Sequence, residues 1–516
     1  MAEPGLFDFS SKRIKTLHYT WIAFFLTFYV WFNMAPVATT MLHSIDWLTA
    51  EHVKILAICN VALTIPARII VGSLIDKYGP RIVFSGLMIL CAIPVFFFAF
   101  GNSFIQLVIS RLLLGTIGAG FVVGIKMVAN WFPHSMVGRA EGLYAGWGNF
   151  GSAFASITLP WLAVHFFGDM LGLGDNAWRW ALAFNGAVCM IYGVMYYFLV
   201  EDHPADKPVA KSSKTEPMMV TSYMDLVQYV IWSIPLVGAM AILTWRIGNI
   251  KIDGHPLLSL STSYIIYGVL LVILIVHIAK TLQVNLPKLK AGIPDNEKYP
   301  WSSVAALNST YFANFGAELA VVSMLPMFFE MTFKDLTNGE GVHIMTASLA
   351  GLVAASFAFV NLFARPLGGL ISDKMSNRKR TMLIYMFGIT IGFLLMALIG
   401  KYGPLDAEGA VTIIPAFDGM WWLIVAIIIT VFCSIFVQGA EGATFAIIPM
   451  INKKMTGQIA GMAGAYGNVG AVVYLVIYSL VDSKTFFFII AGGAAVSFLF
   501  CLFMLKNPEA SKSEEN

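Results

Sequence analysis

Arg68-Ile69-Ile70-Val71-Gly72-Ser73-Leu74-Ile75-Asp76-Lys77 returns 297 residues later as Arg365-Pro366-Leu367-Gly368-Gly369-Leu370-Ile371-Ser372-Asp373-Lys374. Arg, Gly, Asp and Lys keep their spacing in both copies, and each copy closes an apolar run. The chain therefore carries an internal duplication. Around the first copy, apolar runs cover about 17–41, 50–75, 80–101, 104–132, 138–166 and 178–200. Around the second they cover about 301–330, 343–371, 380–400, 420–450, 456–481 and 485–505. Two further runs, 224–247 and 260–284, lie between the sets, flanked by polar stretches at 201–217 and 286–300. A membrane helix needs ~20 apolar residues, so each run can cross a bilayer. The expectation is an all-α integral membrane protein of about 14 transmembrane helices. Two six-helix repeats, 1–200 and 301–516, flank an inserted pair within 201–300.

Composition agrees. Of the 516 residues, 58% are hydrophobic and 12% charged, with a mean hydropathy of +0.77. A soluble domain carries ~25% charged residues. Soluble, disordered and disulfide-scaffold classes are excluded. So is a β-barrel, whose strands alternate over ~10 residues. The first run follows Lys12, Arg13 and Lys15 and is too long for a signal-peptide core, so it reads as a retained helix. With both termini cytoplasmic, 21 Lys and Arg fall on the inner side and 7 on the outer, the bias expected of a cytoplasmic membrane protein. The inner set includes Lys77, Arg81, Lys374, Arg378, Lys453 and Lys454. The five cysteines form no CxxC pair and the nine histidines no HxxxH or HExxH spacing, so neither a metal nor another cofactor is expected. No long basic block points to nucleic acid.

A second duplication is independent of the first. Gly146-Trp147-Gly148-Asn149-Phe150-Gly151 matches Gly464-Ala465-Tyr466-Gly467-Asn468-Val469-Gly470, with Gly148, Asn149 and Gly151 onto Gly467, Asn468 and Gly470 at an offset of 319. Such glycines allow close helix approach.

The sharpest chemistry lies in the repeated arginines. Arg68 stands eight residues before Asp76, ~12 Å along its helix at ~1.5 Å per residue, and Arg365 stands at the same depth. A midplane arginine costs at least ~2.5–3.5 kcal/mol and cannot shed its proton. Two of them call for negative charge: a bound anion, or an internal ion pair with Glu318 or Glu441. A planar guanidinium suits a small planar oxyanion, because two N–H groups meet two oxygens.

At this point the chain resembles the nitrate/nitrite porters of the major facilitator superfamily. Gly72-Ser73-Leu74-Ile75-Asp76-Lys77-Tyr78-Gly79-Pro80-Arg81 is similar to that superfamily's loop 2–3 motif, with Asp373 in a degraded second copy. The paired Gly-Asn-x-Gly clusters are similar to the family's duplicated signature. The resemblance implies the two-bundle fold with its site between halves. It implies that Arg68 and Arg365 clamp nitrate or nitrite, lined by Phe28, Phe121, Asn149, Tyr311 and Phe315. Gly72, Asp76, Arg81 and Asp373 would form a gating loop. The expected partners are nitrate, nitrite, protons and the bilayer, the expected working unit a monomer, and no enzymatic activity is expected.

Coupling rests on carboxylates. Exchange of nitrate for nitrite needs no titratable group, whereas proton symport does. Glu318 and Glu441 lie within apolar runs, which favours symport; antiport, or carriage of another small anion, is the alternative. A channel would show no countertransport. A sensor would carry a signalling domain, for which 1–16 and 506–516 are too short. The pair at 224–284 carries no motif and is expected to be peripheral.

Overall fold

The computed structural model describes residues 5–204, 217–252, 254–294, 297–338, 340–375, 377–405, 411–452 and 455–507. Among the described residues, fourteen helices are long and apolar enough to cross a membrane: α1 (Lys12–Ser44), α2 (Ala50–Tyr78), α3 (Pro80–Ala99), α4 (Phe104–Trp131), α5 (Arg139–Met170), α6 (Gly174–Leu199), α7 (Tyr223–Gly248), α8 (Leu260–Ala291), α9 (Trp301–Thr332), α10 (Ala347–Lys374), α11 (Arg378–Leu398), α12 (Met420–Ile451), α13 (Thr456–Tyr478) and α14 (Ser483–Met504). In hydrocarbon a helix satisfies its backbone groups internally, which is why apolar runs of this length take that form. Their ends use short polar side chains. Thr49, Ser103, Ser222, Ser259, Thr346, Asn377 and Asp482 each accept a hydrogen bond from the backbone N–H three residues on, at the starts of α2, α4, α7, α8, α10, α11 and α14.

Helix 1 begins, and helices 6, 7, 8, 9 and 14 begin or end, on one face, here called the terminal face. Lys12 at the start of α1 meets Glu201 after α6 at 2.7 Å, and the Lys506 N–H donates to Ser303 of α9. Lys453 and Lys454 lie outside the described residues, as does most of the polar stretch 201–217. The opposite side is the far face.

Packing repeats with the duplication. In the first six helices α1 lies on α5 and α3 on α6; in the last six α9 lies on α13 and α11 on α14. The halves meet where α5 faces α10 and where α2 faces α13. Backbone contact is close because glycines sit at the crossings. A methyl at Gly151 would stand 2.0 Å from the Phe25 carbonyl oxygen, and one at Gly470 2.3 Å from that of Phe312. Gly151→Ala is therefore expected to cost about 1–3 kcal/mol of overpacking strain, read as a lower melting temperature of the detergent-solubilised protein.

Several features depart from the sequence reading. Several spans are not single continuous α-helices, and α5 ends in a wider π-helical stretch at Leu162–Met170. Helix α1 breaks after Trp31, ahead of Pro36, and α4 passes through a tighter turn at Gly115–Ala119. Helices α2 and α10 each break five residues before their arginine, at Leu63 and Val360, the same point in both copies. The all-α expectation holds, with two short hairpins in the far-face loops: Lys251–Ile252 with His255–Pro256 (β1, β2) between α7 and α8, and Gly400–Leu405 with Val411–Pro415 (β3, β4) between α11 and α12. Helix α8 runs to Ala291, so the polar stretch 286–300 is partly helical.

The inserted pair is not wholly peripheral. Helix α8 is almost entirely exposed, as expected of a lipid-facing helix, but α7 packs on α13, α9 and α2. The Tyr466 hydroxyl of α13 donates to the Trp232 carbonyl of α7. The insertion carries no repeat signal, so nothing in its composition marked that contact.

Candidate functional site

Arg68 and Arg365 each stand 18 residues into their helix, α2 and α10. Both are buried, and both guanidinium carbons lie within 6.0 Å of one ring, that of Phe315, at 6.0 and 5.8 Å. The two copies of the motif thus converge on one place between the halves. Arg68 also leans on Phe121 at 5.3 Å.

The cations differ in their partners. Arg365 forms an ion pair with Glu441 of α12, Nη1 to Oε2 at 2.5 Å, and donates from Nη2 to the Tyr311 hydroxyl at 2.9 Å. The Glu441 carboxyl faces that of Glu318. Glu318 in turn accepts from Asn361 Nδ2 at 2.6 Å, and its Oε2 has no donor. Arg68 has no carboxylate partner among the described residues. It donates from Nη1 to the Gly464 carbonyl at 2.8 Å, while its Nε has no acceptor. One neutral carbonyl does little to offset a buried charge.

Asn149, one turn beyond Gly146 on α5, is buried with neither its amide N nor its O hydrogen-bonded. Its counterpart Asn468 on α13 shares the Gly464 carbonyl with Arg68. Buried amides normally find partners, so Arg68 Nε and Asn149 each carry unmet hydrogen-bonding capacity among the described residues.

Aromatic rings enclose the site. Tyr311 stacks on Phe315 at 5.0 Å, Phe445 of α12 meets Tyr311 at 5.3 Å and Phe121 at 6.0 Å, and Phe24 meets Phe121 at 5.8 Å. Phe28 packs on Phe24, a layer behind Phe121. Sequence reasoning missed Phe24 and Phe445, although the repeat held both. Gly118-Ala119-Gly120-Phe121 and Gly442-Ala443-Thr444-Phe445 share Gly-Ala-x-Phe at an offset of 324. An offset of 287 sets Phe24 and Phe28 against Tyr311 and Phe315. Gly148 lies under Phe24 as Gly467 lies under Tyr311 and Phe315. By the same offsets, Trp31 and Ile117 stand opposite Glu318 and Glu441. The arginines and rings obey the two-fold; the carboxylates break it.

The remaining signature glycines face across the halves. Gly146 meets the Asn361 carbonyl and Pro366 on α10, and Gly464 meets Arg68 on α2. The loop residues gather at the terminal face rather than at the site. Gly79 (φ +82°) makes the α2–α3 turn, where the Arg81 N–H donates to Asp202 at 2.7 Å and a methyl on Gly79 would strike that carboxylate. Asp373 pairs with Arg378 at 2.6 Å. Nothing crowds Gly72, and Asp76 stands a turn beyond it at the end of α2.

The far-face seam between the halves is closed. A methyl on Gly351 of α10 would lie 2.2 Å from the Ser156 carbonyl of α5, and Thr39 of α1 donates to Glu330 of α9 at 2.6 Å. Towards the terminal face, methyls on Gly142, Gly457 or Gly461 would meet nothing within 4 Å.

The Major Facilitator Superfamily model matches residues 20–473. Among curated proteins, the chain is 44% identical to the nitrate/nitrite transporter NrtP of Nostoc punctiforme, over 98% of this chain and 95% of that one. It is 40% identical to NrtP of Picosynechococcus sp., over 97% and 94%. It is 25% identical to the high affinity nitrate transporter 2.5 of Arabidopsis thaliana, over 92% and 75%. Among solved structures, the xylose transporter XylE from E. coli, in a partially occluded inward open conformation, aligns with a TM-score of 0.60 at 13% identity, over 98% of this chain and 99% of that one. A POT family transporter aligns at 0.61 and 14% identity, over 94% of each.

Proposed function

The chain belongs to the major facilitator superfamily, among its nitrate/nitrite porters, and transports nitrate; we propose that it does so by proton symport through the Arg68–Arg365 site. The carrying observation is the asymmetry of the two arginines. Arg68 is a buried cation with no counter-ion among the described residues and a free Nε–H, whereas Arg365 already holds Glu441. A planar anion entering between the halves meets Arg68 first, and the unpaired Asn149 amide stands on α5, which faces the Arg365 helix α10. Phe121, Phe315, Phe445 and Tyr311 pack its faces and exclude water, and the low dielectric strengthens each charge-assisted hydrogen bond. Phe28 supports this layer through Phe24.

To use both arginines, nitrate must take Arg365 from Glu441. An unpaired carboxylate in such a site is costly, so Glu441 takes a proton as it lets go, with Glu318 as its relay partner. Release of nitrate restores the ion pair and frees the proton. The moving bodies are the six-helix units 1–200 and 301–516, with 201–300 inserted between them. Helices α5 and α10, and α2 and α13, slide at their glycine crossings, and the loop around Gly72, Asp76, Arg81 and Asp373 gates the terminal side. The protein sits in the cytoplasmic membrane as a monomer, both termini in the cytoplasm, and accepts nitrite as well as nitrate.

The test is nitrate uptake into proteoliposomes under an inward proton gradient, first without internal anion and then with internal nitrite. Uptake that follows the gradient without nitrite is the expected result. Uptake that requires nitrite and ignores the gradient makes the protein an exchanger and leaves the glutamates a structural part. Glu318→Gln is expected to abolish gradient-driven uptake while nitrate/nitrite exchange continues, measured in the same vesicles.

A further inference from the structure

We propose that the inserted helix α7 is a working part of the far-side gate, a strap that holds the two halves together when that side is shut. This rests on the alternating-access reading but not on which ion is carried. Arg246, one turn from the far end of α7, is buried and bridges three elements. Its Nε donates to the Ser479 hydroxyl at 2.7 Å, and its Nη2 reaches the Ser479 carbonyl and Glu51 Oε1, both at 3.3 Å. Ser479 caps the end of α13, in the second half; Glu51 begins α2, in the first. A cation at a helix C-terminus is stabilised by the helix dipole, so Arg246 belongs firmly to α13.

Other contacts say which half α7 moves with. Halfway down, the Trp232 carbonyl accepts from the Tyr466 hydroxyl and the Trp232 ring packs on that of Tyr466 at 5.2 Å, again on α13. Its bonds to α13 are two-point and buried, and its bond to α2 is a single ion pair with the 65% exposed Glu51. Helix α7 therefore travels with the second half, and the Glu51–Arg246 contact parts when the far side opens.

Beside it lies a second contact of the same kind. Lys54, one turn after Glu51, sits over the Tyr478 ring at 4.8 Å and donates to the Val481 carbonyl at 3.5 Å, within electrostatic reach of Asp482, Glu51 and Arg246. The α2–α13 seam is thus closed by alternating charges drawn from both halves and from the insertion. Twelve helices alone would leave Glu51 without its ion pair to Arg246.

The experiment uses Ser156→Cys as a reporter. This position is buried against Gly351 at the α5–α10 seam, on the opposite side of the cleft from Arg246, and the native cysteines are all buried. A membrane-impermeant maleimide applied to the far side of the full-length protein in proteoliposomes labels it only when that side opens. Losing a largely exposed ion pair of ~0.5–1 kcal/mol corresponds to about two- to fivefold. Arg246→Ala and Glu51→Gln are each expected to speed labelling by about that factor. Glu51→Gln leaves the Arg246–Ser479 bonds in place, so it reads the gate even if Arg246→Ala folds poorly. Labelling of a folded Glu51→Gln variant at the rate of its parent overturns the proposal and makes α7 a passenger. That result would leave nitrate uptake by the parent, and with it the transport reading, untouched.

Discussion

Arg68→Lys is expected to abolish nitrate uptake while the protein still inserts and folds. Lysine keeps the positive charge, so a purely electrostatic role would survive the exchange. It loses the planar fork that meets two oxygens at once, and its three donors share one nitrogen, so it cannot hold the Gly464 carbonyl and also place a donor where Arg68 Nε stands. Each charge-assisted hydrogen bond lost is worth ~1.5–3 kcal/mol, so the loss of uptake should exceed about tenfold and approach the background of empty vesicles. The fold should tolerate the change, because among the described residues Arg68 holds no carboxylate whose charge would be stranded. The comparison is uptake per folded protein, counted by size-exclusion after solubilisation. Arg365→Lys should also abolish uptake. There the Glu441 ion pair is at stake as well, and some loss of stability accompanies the loss of activity.

Glu441→Gln should separate driving force from binding. The amide keeps the shape of the carboxylate and removes the charge that competes with nitrate for Arg365. Nitrate and nitrite still bind, and exchange of one for the other across the membrane continues. What is lost is the group that takes a proton when it releases Arg365, so accumulation under an inward proton gradient should fall to the level set by the anion gradients alone. Breaking a buried pair by truncation costs ~3–5 kcal/mol, and an isosteric amide that still accepts from Arg365 should cost less. A variant that accumulates nitrate under the gradient as wild type does would remove Glu441 from the coupling path.

The duplication made the fold legible. The Arg-x-x-x-Gly copies mark α2 and α10, the Gly-Asn-x-Gly copies mark α5 and α13, and apolar run length alone set the fourteen spans. The break at Leu63 has a sequence cause in Pro66, three residues on, which lacks the N–H for the preceding turn; at Val360 no proline stands among the next five residues, and that break was not legible. The site was legible wherever chemistry is dear: an arginine in the bilayer must be used. Phe24 and Phe445 escaped because forty phenylalanines offer no contrast, and only the weaker Gly-Ala-x-Phe echo singles them out. The choice between a bound anion and an internal ion pair also has a mixed answer. Arg365 has the pair and Arg68 lacks it, a division that two identical motifs could not announce. The role of α7 was hidden for a simpler reason: its contacts run through Arg246 and a backbone carbonyl, neither of which stands in a pattern.

Calorimetry of nitrate binding to the purified protein, repeated in buffers of different ionisation enthalpy, tests the central claim that nitrate and Glu441 compete for Arg365. About one proton should be taken up per nitrate bound, and Glu441→Gln should remove this uptake while nitrate still binds. Nitrate binding with no proton exchange in the wild type would contradict it.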